Sequence, residues 1–405
     1  VFRPTACKFK SAVEPYILDR MSEANREQMS ALVGSMWDVV VEEVAASRGL
    51  TAEELNACAD DLSALLADDA VARRLVDGVK YEDEMNDLFA EAGVEPDSDG
   101  EYRFVSLGRY ASQLEPDMKH LGAGRVTVLY ADGQIVDGEG SDAVYGNTLA
   151  AQLRDLRLDE GVKAVVVRVN SPGGSALASD VIWREMELLR AEKPVIVSMG
   201  AYAASGGYYI SAPADAILAD RLTLTGSIGV FGMFLDAGAA MKQKLGITVD
   251  GVRSNRSADM SMFRPLTPTE RAVMLRSVDR VYETFTGIVA EGRNLPIEKV
   301  LEIAGGRVWS GADALGIGLI DSYGGLKSAI AVAVDKAGLG EEYRIEEVRE
   351  APHGLAAILA ALNARVEADG EHAELFGLYD EYRHVREALA QQGVLTYCPY
   401  RFAFE

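Results

Sequence analysis

Histidine and cysteine are both scarce in this sequence, with four copies of one and three of the other among 405 residues. The histidines are His120, His353, His372 and His384, and none falls in the richly patterned stretch from Arg125 to Arg344. A Ser-His-Asp triad within that stretch is therefore disfavoured. The cysteines, Cys7, Cys58 and Cys398, are odd in number and match neither a zinc site nor a disulfide framework. They read as incidental and leave the redox compartment open. Basic residues are also short: 40 Lys and Arg stand against 63 Asp and Glu, a formal charge of −23. A nucleic-acid partner would need a clustered basic face, so none is expected, and the acidity reads as a well-solvated surface. No run reaches the ~18 apolar residues of a transmembrane helix. The opening Val1-Phe2-Arg3-Pro4 lacks the basic and apolar regions of a signal peptide.

Hydrophobic residues make up 48% of the chain, enough for a sizeable core. Four regions separate. Residues 1–92 are helical in pattern, with an apolar stripe at Met29, Leu32, Met36, Val39 and Val40. Residues 93–122, around Pro96-Asp97-Ser98-Asp99-Gly100, read as a linker. Residues 123–345 alternate strand and helix, and residues 346–405 are expected to form a helical tail. In the third region the runs Val126–Tyr130, Lys163–Val169, Val195–Met199 and Ala216–Leu218 read as strands. The segments Gly146–Leu158 and Ala176–Ala191 read as helices, and another helix begins near Ser205. Largely apolar strands separated by helices indicate an α/β fold with a parallel sheet. A weak repeat is also visible. Lys10-Ser11-Ala12 recurs as Arg256-Ser257-Ala258, and Met21–Arg26 resembles Leu266–Arg271. Region one then looks like the back part of a unit whose complete copy is region three.

Two segments carry candidate chemistry. In Gly200–Ile210 a buried strand runs through a turn of small residues into a helix, and Ser205 sits between Ala203-Ala204 and Gly206-Gly207. A hydroxyl there faces free helix N–H groups that can stabilise an oxyanion, although a helix N-cap serine has the same look. Asn170-Ser171-Pro172-Gly173-Gly174 follows another buried strand, where paired glycines can offer a backbone N–H or simply make a turn. With histidine disfavoured, a serine nucleophile needs another base, and a lysine kept neutral by burial is the alternative. Lys163, Lys193, Lys242, Lys244, Lys299, Lys327 and Lys336 lie in helix or surface contexts. The repeat equivalent of Lys10 is Arg256, which stays protonated. That draws attention to Lys10, which taken alone reads as a solvated surface lysine.

The sequence resembles the signal peptide peptidase A family, also called protease IV, of the Ser/Lys class. The motifs are Lys10–Pro15, Asn170–Gly174, Tyr202–Ile210, Leu224–Val230 and Gly306–Gly311, in the family's order. The resemblance implies a Clp-protease/crotonase-like fold: one complete peptidase unit, 123–345, preceded by the C-terminal part of a second, 1–92. It implies Ser205 as nucleophile, Lys10 as general base and Ser227 as the residue that orients the lysine. Backbone N–H groups of Gly173 or Gly174, with Ser205 or Gly206, are implied as the oxyanion hole. No metal or cofactor is implied. The implied substrates are hydrophobic peptides, including cleaved signal peptides, at the outer face of the bacterial cytoplasmic membrane. A homo-oligomer is also implied, with membrane association through a segment outside this chain. Two other readings stand beside it: a crotonase-type enzyme acting on acyl-CoA thioesters, and a catalytically inert truncated subunit.

Overall fold

The structure, a computed structural model, describes residues 1–98, 100, 102–107, 110, 124–348 and 393–397. The chain folds as two compact units, Gly34–Met118 and Val1–Val33 together with Lys119–Glu405. The segment bearing Lys10 is part of the same unit as the βα block.

The described elements of Gly34–Met118 are helices. The unit holds most of α1 (Glu23–Arg48), then α2 (Ala52–Asp60), α3 (Ala67–Ala72) and α4 (Glu82–Glu91). Of the predicted stripe, Leu32, Met36 and Val39 are buried. The α2 helix starts at a reciprocal cap: Thr51 Oγ1 accepts from Glu54 N–H, and Glu54 Oε2 accepts from Thr51 N–H.

The larger unit is built on a sheet of β1 (Gly124–Asp132), β4 (Val162–Ser171), β6 (Val195–Ala204), β7 (Ala216–Ala219), β8 (Leu224–Gly226), β10 (Val308–Ser310), β11 (Ser322–Tyr323) and β12 (Tyr343–Val348). The main order is β10-β8-β6-β4-β1-β12, with β7 beside β6 and β11 beside β7. Pairing is parallel except between β8 and β10. The apolar runs make this sheet because both of its faces are covered. In β4, Val165, Val167 and Val169 enter one core while Ala164 and Val166 enter another, the two-residue period of a strand. The first core takes α5 (Gly146–Leu158) and α6 (Ala176–Arg190) through Leu153, Ile182 and Met186. The second takes a C-terminal helix, Leu326–Lys336, through Ala329 and Ala333.

A second sheet lies at the carboxyl ends of these strands, in the order β3-β2-β5-β13-β9. Its members are β2 (Ile135–Val136), β3 (Val144–Tyr145), β5 (Gly173–Ser175), β9 (Phe231–Met233) and β13 (Gly393–Tyr397). The tail expected to be helical from residue 346 is therefore extended where it is described. Residues 346–348 complete β12, whose pairing satisfies the edge of β1 and brings Arg125 onto Glu346 at 2.7 Å. Residues 393–397 fill the gap between β5 and β9. Most of the linker and the rest of the tail lie outside the described residues.

The repeat has a structural counterpart. Ser22 caps α1, and Thr267 caps a helix of similar length, Pro268–Gly292. Each is followed by a short helix, α2 in one case and Ile297–Ile303 in the other.

Candidate active site

Ser205 stands where β6 gives way to the six-residue helix Gly206–Ser211. Its backbone is at φ 56°, ψ −115°, a left-handed conformation that favours glycine. A serine held there is strained by about 1–3 kcal/mol and persists only if its surroundings enforce it. They do: Ser205 N–H donates to Gly226 O at 2.8 Å, and Ala203 and Ala204 on β6 are fully buried against β8. Gly207 lets the helix press onto the Asn170–Gly174 turn, since a Cβ at Gly207 would lie 2.5 Å from Ser171 O. The Ser205 side chain makes no cap hydrogen bond, so the ordinary N-cap reading of this serine fails.

Its hydroxyl meets Lys10 instead. Lys10 Nζ lies 2.7 Å from Ser205 Oγ, 3.0 Å from Ser227 Oγ and 3.1 Å from Ser227 O. Lys10, Ser205 and Ser227 are all buried, at 1%, 0% and 2% exposure, so the surface reading of Lys10 also fails. The lysine comes from the residue before a short 3-10 helix, Ser11–Tyr16. Phe9 N–H donates to Gly305 O at 3.0 Å, and Arg3 donates to Lys10 O. Gly306, at φ 84°, lets this segment approach: a Cβ there would lie 2.6 Å from Lys10 Cβ and 2.7 Å from Lys10 N. Ser227, also left-handed at φ 49°, donates its N–H to Arg307 O at 2.7 Å. The hairpin-like pairing of β8 with β10 thus sets Ser227 and Gly306 side by side under the lysine. Cys7 lies fully buried nearby, and burial pushes its thiol up to about 11. At neutral pH it therefore puts no negative charge beside Lys10.

Replacing Gly306 by alanine is expected to drive the Lys10 segment away from Ser205. The left-handed backbone alone costs about 1–3 kcal/mol. A lowered urea midpoint and an acylation rate of Ser205 reduced at least about tenfold check this, because misplacement by an ångström has effects of that size.

The glycine turn sits beside the serine, with Ser171 paired to Ala203 across β4 and β6. Asn170, from the same motif, shapes it: its side-chain oxygen accepts from Tyr202 N–H, and its amide donates to Asp132 at 2.9 Å. The oxyanion donors inferred from sequence need one correction. The Ser205 N–H is taken by Gly226 O and is not available to a ligand. Gly173 N–H points to Ser171 Oγ at 3.2 Å. Gly206 N–H opens the helix and makes no hydrogen bond among the described residues, which leaves it as the donor beside the serine. The four histidines lie outside the described residues. Sequence reasoning overlooked the Gly305-Gly306 pair as the seat of Lys10, although two adjacent glycines signal a close backbone approach.

A buried serine joined to a buried lysine from a distant segment can do acyl transfer by general-base activation of the hydroxyl. The model of peptidase family S49 matches residues 4–94 and 187–340, more than half the chain, and so takes in Lys10, Ser205 and Ser227. The chain belongs to peptidase family S49. The Clp protease model matches residues 123–226, the βα block of the fold. Protease 4 of Salmonella typhi is 37% identical over 89% of this chain and 59% of its own length. Protease 4 of Haemophilus influenzae is 36% identical over 80% of this chain and 54% of its own. The chloroplastic serine protease SPPA of Arabidopsis thaliana is 33% identical, over 92% and 56%. The chain thus spans little more than half the length of these S49 relatives.

Proposed function

We propose that this chain is a serine endopeptidase in which Ser205 is the nucleophile, Lys10 the general base and Ser227 the residue that holds the amine in place. The observation that carries this reading is the 2.7 Å approach of Lys10 Nζ to Ser205 Oγ in a buried site. Burial penalises the ammonium form. A neutral amine has two hydrogens and one lone pair. Ser227 O and Ser227 Oγ are placed to accept the hydrogens, which turns the lone pair to the Ser205 hydroxyl. Lys10 then takes the Ser205 proton as Oγ attacks the peptide carbonyl. The Gly206 N–H stabilises the oxyanion, beside the Gly173-Gly174 turn, where the Gly173 N–H would exchange Ser171 Oγ for the oxyanion. The lysine returns the proton to the leaving amine, and water hydrolyses the acyl-enzyme by the same base.

The substrate class is an extended, hydrophobic peptide such as a cleaved signal peptide. Gly173–Ser175 pairs antiparallel with an extended strand of the same chain, Gly393–Tyr397, so an extended main chain lying along this strand beside the site has a precedent within the fold. We place the reaction at the outer face of the bacterial cytoplasmic membrane, in a homo-oligomer. We further propose membrane association through a segment outside this chain; among the described residues no helix is long and apolar enough to cross a membrane. Direct contact between a serine hydroxyl and a lysine favours the peptidase over a crotonase-type thioester enzyme, which has no role for Ser205.

The test is covalent labelling with a fluorophosphonate, followed by peptide mapping, alongside hydrolysis of a hydrophobic peptide ester. Phosphonylation confined to the Ser205 peptide, with matching loss of hydrolysis, is the expected result. Hydrolysis that continues after full labelling, or no labelling of Ser205, would overturn the reading.

A further inference from the structure

The dyad is made of two segments that have no covalent reason to be near each other, 195 residues apart. Something must hold the Lys10 segment in register with the Ser205 and Ser227 segments to within a few tenths of an ångström. Gln28, on the first turns of α1, is fully buried and touches both sides. Its amide nitrogen donates to Phe9 O at 2.8 Å and to Ser11 Oγ at 3.2 Å, so it grips the residues on either side of Lys10. Asn25 Oδ1, one turn back on the same helix, lies 2.9 Å from the same nitrogen, so the two amide hydrogens are shared among three acceptors and the orientation of the amide is fixed. Its carbonyl oxygen accepts from Val308 N–H at 3.3 Å.

Val308 begins β10 and pairs with Gly226, and Gly226 O is the acceptor of the Ser205 N–H. Arg307, one residue earlier, accepts the Ser227 N–H. One buried side chain therefore links the base segment to the strand from which both serines hang. We propose that Gln28 is a positioning residue of the reaction, which sets the distance between Lys10 Nζ and Ser205 Oγ without touching substrate. This rests on the Ser/Lys reading above. A second clamp supports the same segment: Glu14 accepts from Ser22 Oγ at 2.6 Å and from Asn25 Nδ2 at 3.2 Å, so the 3-10 helix after Lys10 is tied to the start of α1.

The test uses the full chain with four variants: Gln28→Met, Gln28→Glu, Leu32→Ala and Lys10→Met. Gln28→Met keeps length and bulk but loses every hydrogen bond. Gln28→Glu keeps the shape and the acceptor for Val308 N–H but loses the donors to Phe9 and Ser11. Leu32 is an apolar side chain buried on the next turn of α1, so its variant reports loss of packing. For Gln28→Met, kcat on the peptide ester falls about 10- to 100-fold while KM stays within about twofold, since the loss is of alignment and not of binding. Gln28→Glu also lowers kcat, and it moves the acid limb of the pH–rate profile to higher pH because an added carboxylate near Lys10 favours the ammonium. Leu32→Ala lowers the melting temperature and leaves the pH profile in place.

The proposal is overturned if Gln28→Met keeps kcat within about twofold, or if its loss of kcat is matched by Leu32→Ala at equal loss of melting temperature. Should Gln28→Met not fold, Gln28→Glu decides: an unchanged kcat and acid limb overturns the proposal. Full activity of Lys10→Met would instead sink the dyad itself, whatever the Gln28 variants do.

Discussion

Ser205→Ala and Ser205→Gly are both expected to lose hydrolysis by roughly 10⁶-fold, the size of effect seen when the nucleophile of a serine hydrolase is removed. They are expected to differ in stability, and in the less usual direction. Ser205 is held at φ 56°, where a side chain is strained and glycine is not. Both variants lose the same oxygen and the same contact with Lys10, so the difference between them isolates the backbone. Relief of about 1–3 kcal/mol is offset by the greater freedom of an unfolded glycine, about 0.5–1 kcal/mol. Ser205→Gly should therefore unfold at higher urea than Ser205→Ala, by about 1 kcal/mol. Equal midpoints would mean that the left-handed turn carries no strain, and residual hydrolysis in either variant would remove Ser205 as nucleophile. A positive result would give the small-residue turn its physical meaning. The chain accepts a locally unfavourable backbone so that one hydroxyl stands clear of its strand and faces the lysine.

Much of this architecture was legible in the residues. The segments Lys163–Val169 and Val195–Met199 are apolar on both faces, which only a doubly covered strand explains, and both are central strands here. Gly146–Leu158 is the α5 helix as bounded from its pattern. Ser205 was legible because small residues crowd around it. The oxyanion donors were not, because the competition for the Ser205 N–H comes from Gly226, a strand away. Lys10 could be reached by resemblance but not by elimination. Its contacts lie 195 and 217 positions along the chain, beyond any local pattern. The grouping of Val1–Val33 with the βα block was not legible for a similar reason: α1 reads as one continuous helix, and nothing in its periodicity tells that its first turns belong with a distant part of the chain. The two described strands of the tail were not legible because a helical pattern says nothing about open strand edges, and β1, β5 and β9 each offered one.

Lys10→Met and Lys10→Arg together separate a base from a mere positive charge. Methionine keeps the length of the buried stem and removes the nitrogen, so acylation of Ser205 should fall about 10²–10⁴-fold, the range of general-base catalysis. Arginine keeps a cation near the serine but cannot accept a proton, because its guanidinium stays protonated. If Lys10 works by taking the proton, Lys10→Arg is as inactive as Lys10→Met. If it works by stabilising charge, Lys10→Arg retains much of the rate. The pH profile gives the same answer by another route. Only the neutral amine can act, so the wild-type rate must rise with pH along its acid limb, and that limb must vanish in Lys10→Met. The third expectation concerns additivity. Two groups that act as a unit do not contribute independently, so Ser205→Ala combined with Lys10→Met should be no slower than Ser205→Ala alone. Losses that multiplied would place the lysine outside the proton transfer. The geometry already bears on which outcome to expect: Ser205 Oγ, at 2.7 Å, lies nearer to Nζ than either Ser227 oxygen does, which is the reach a base needs to take the hydroxyl proton.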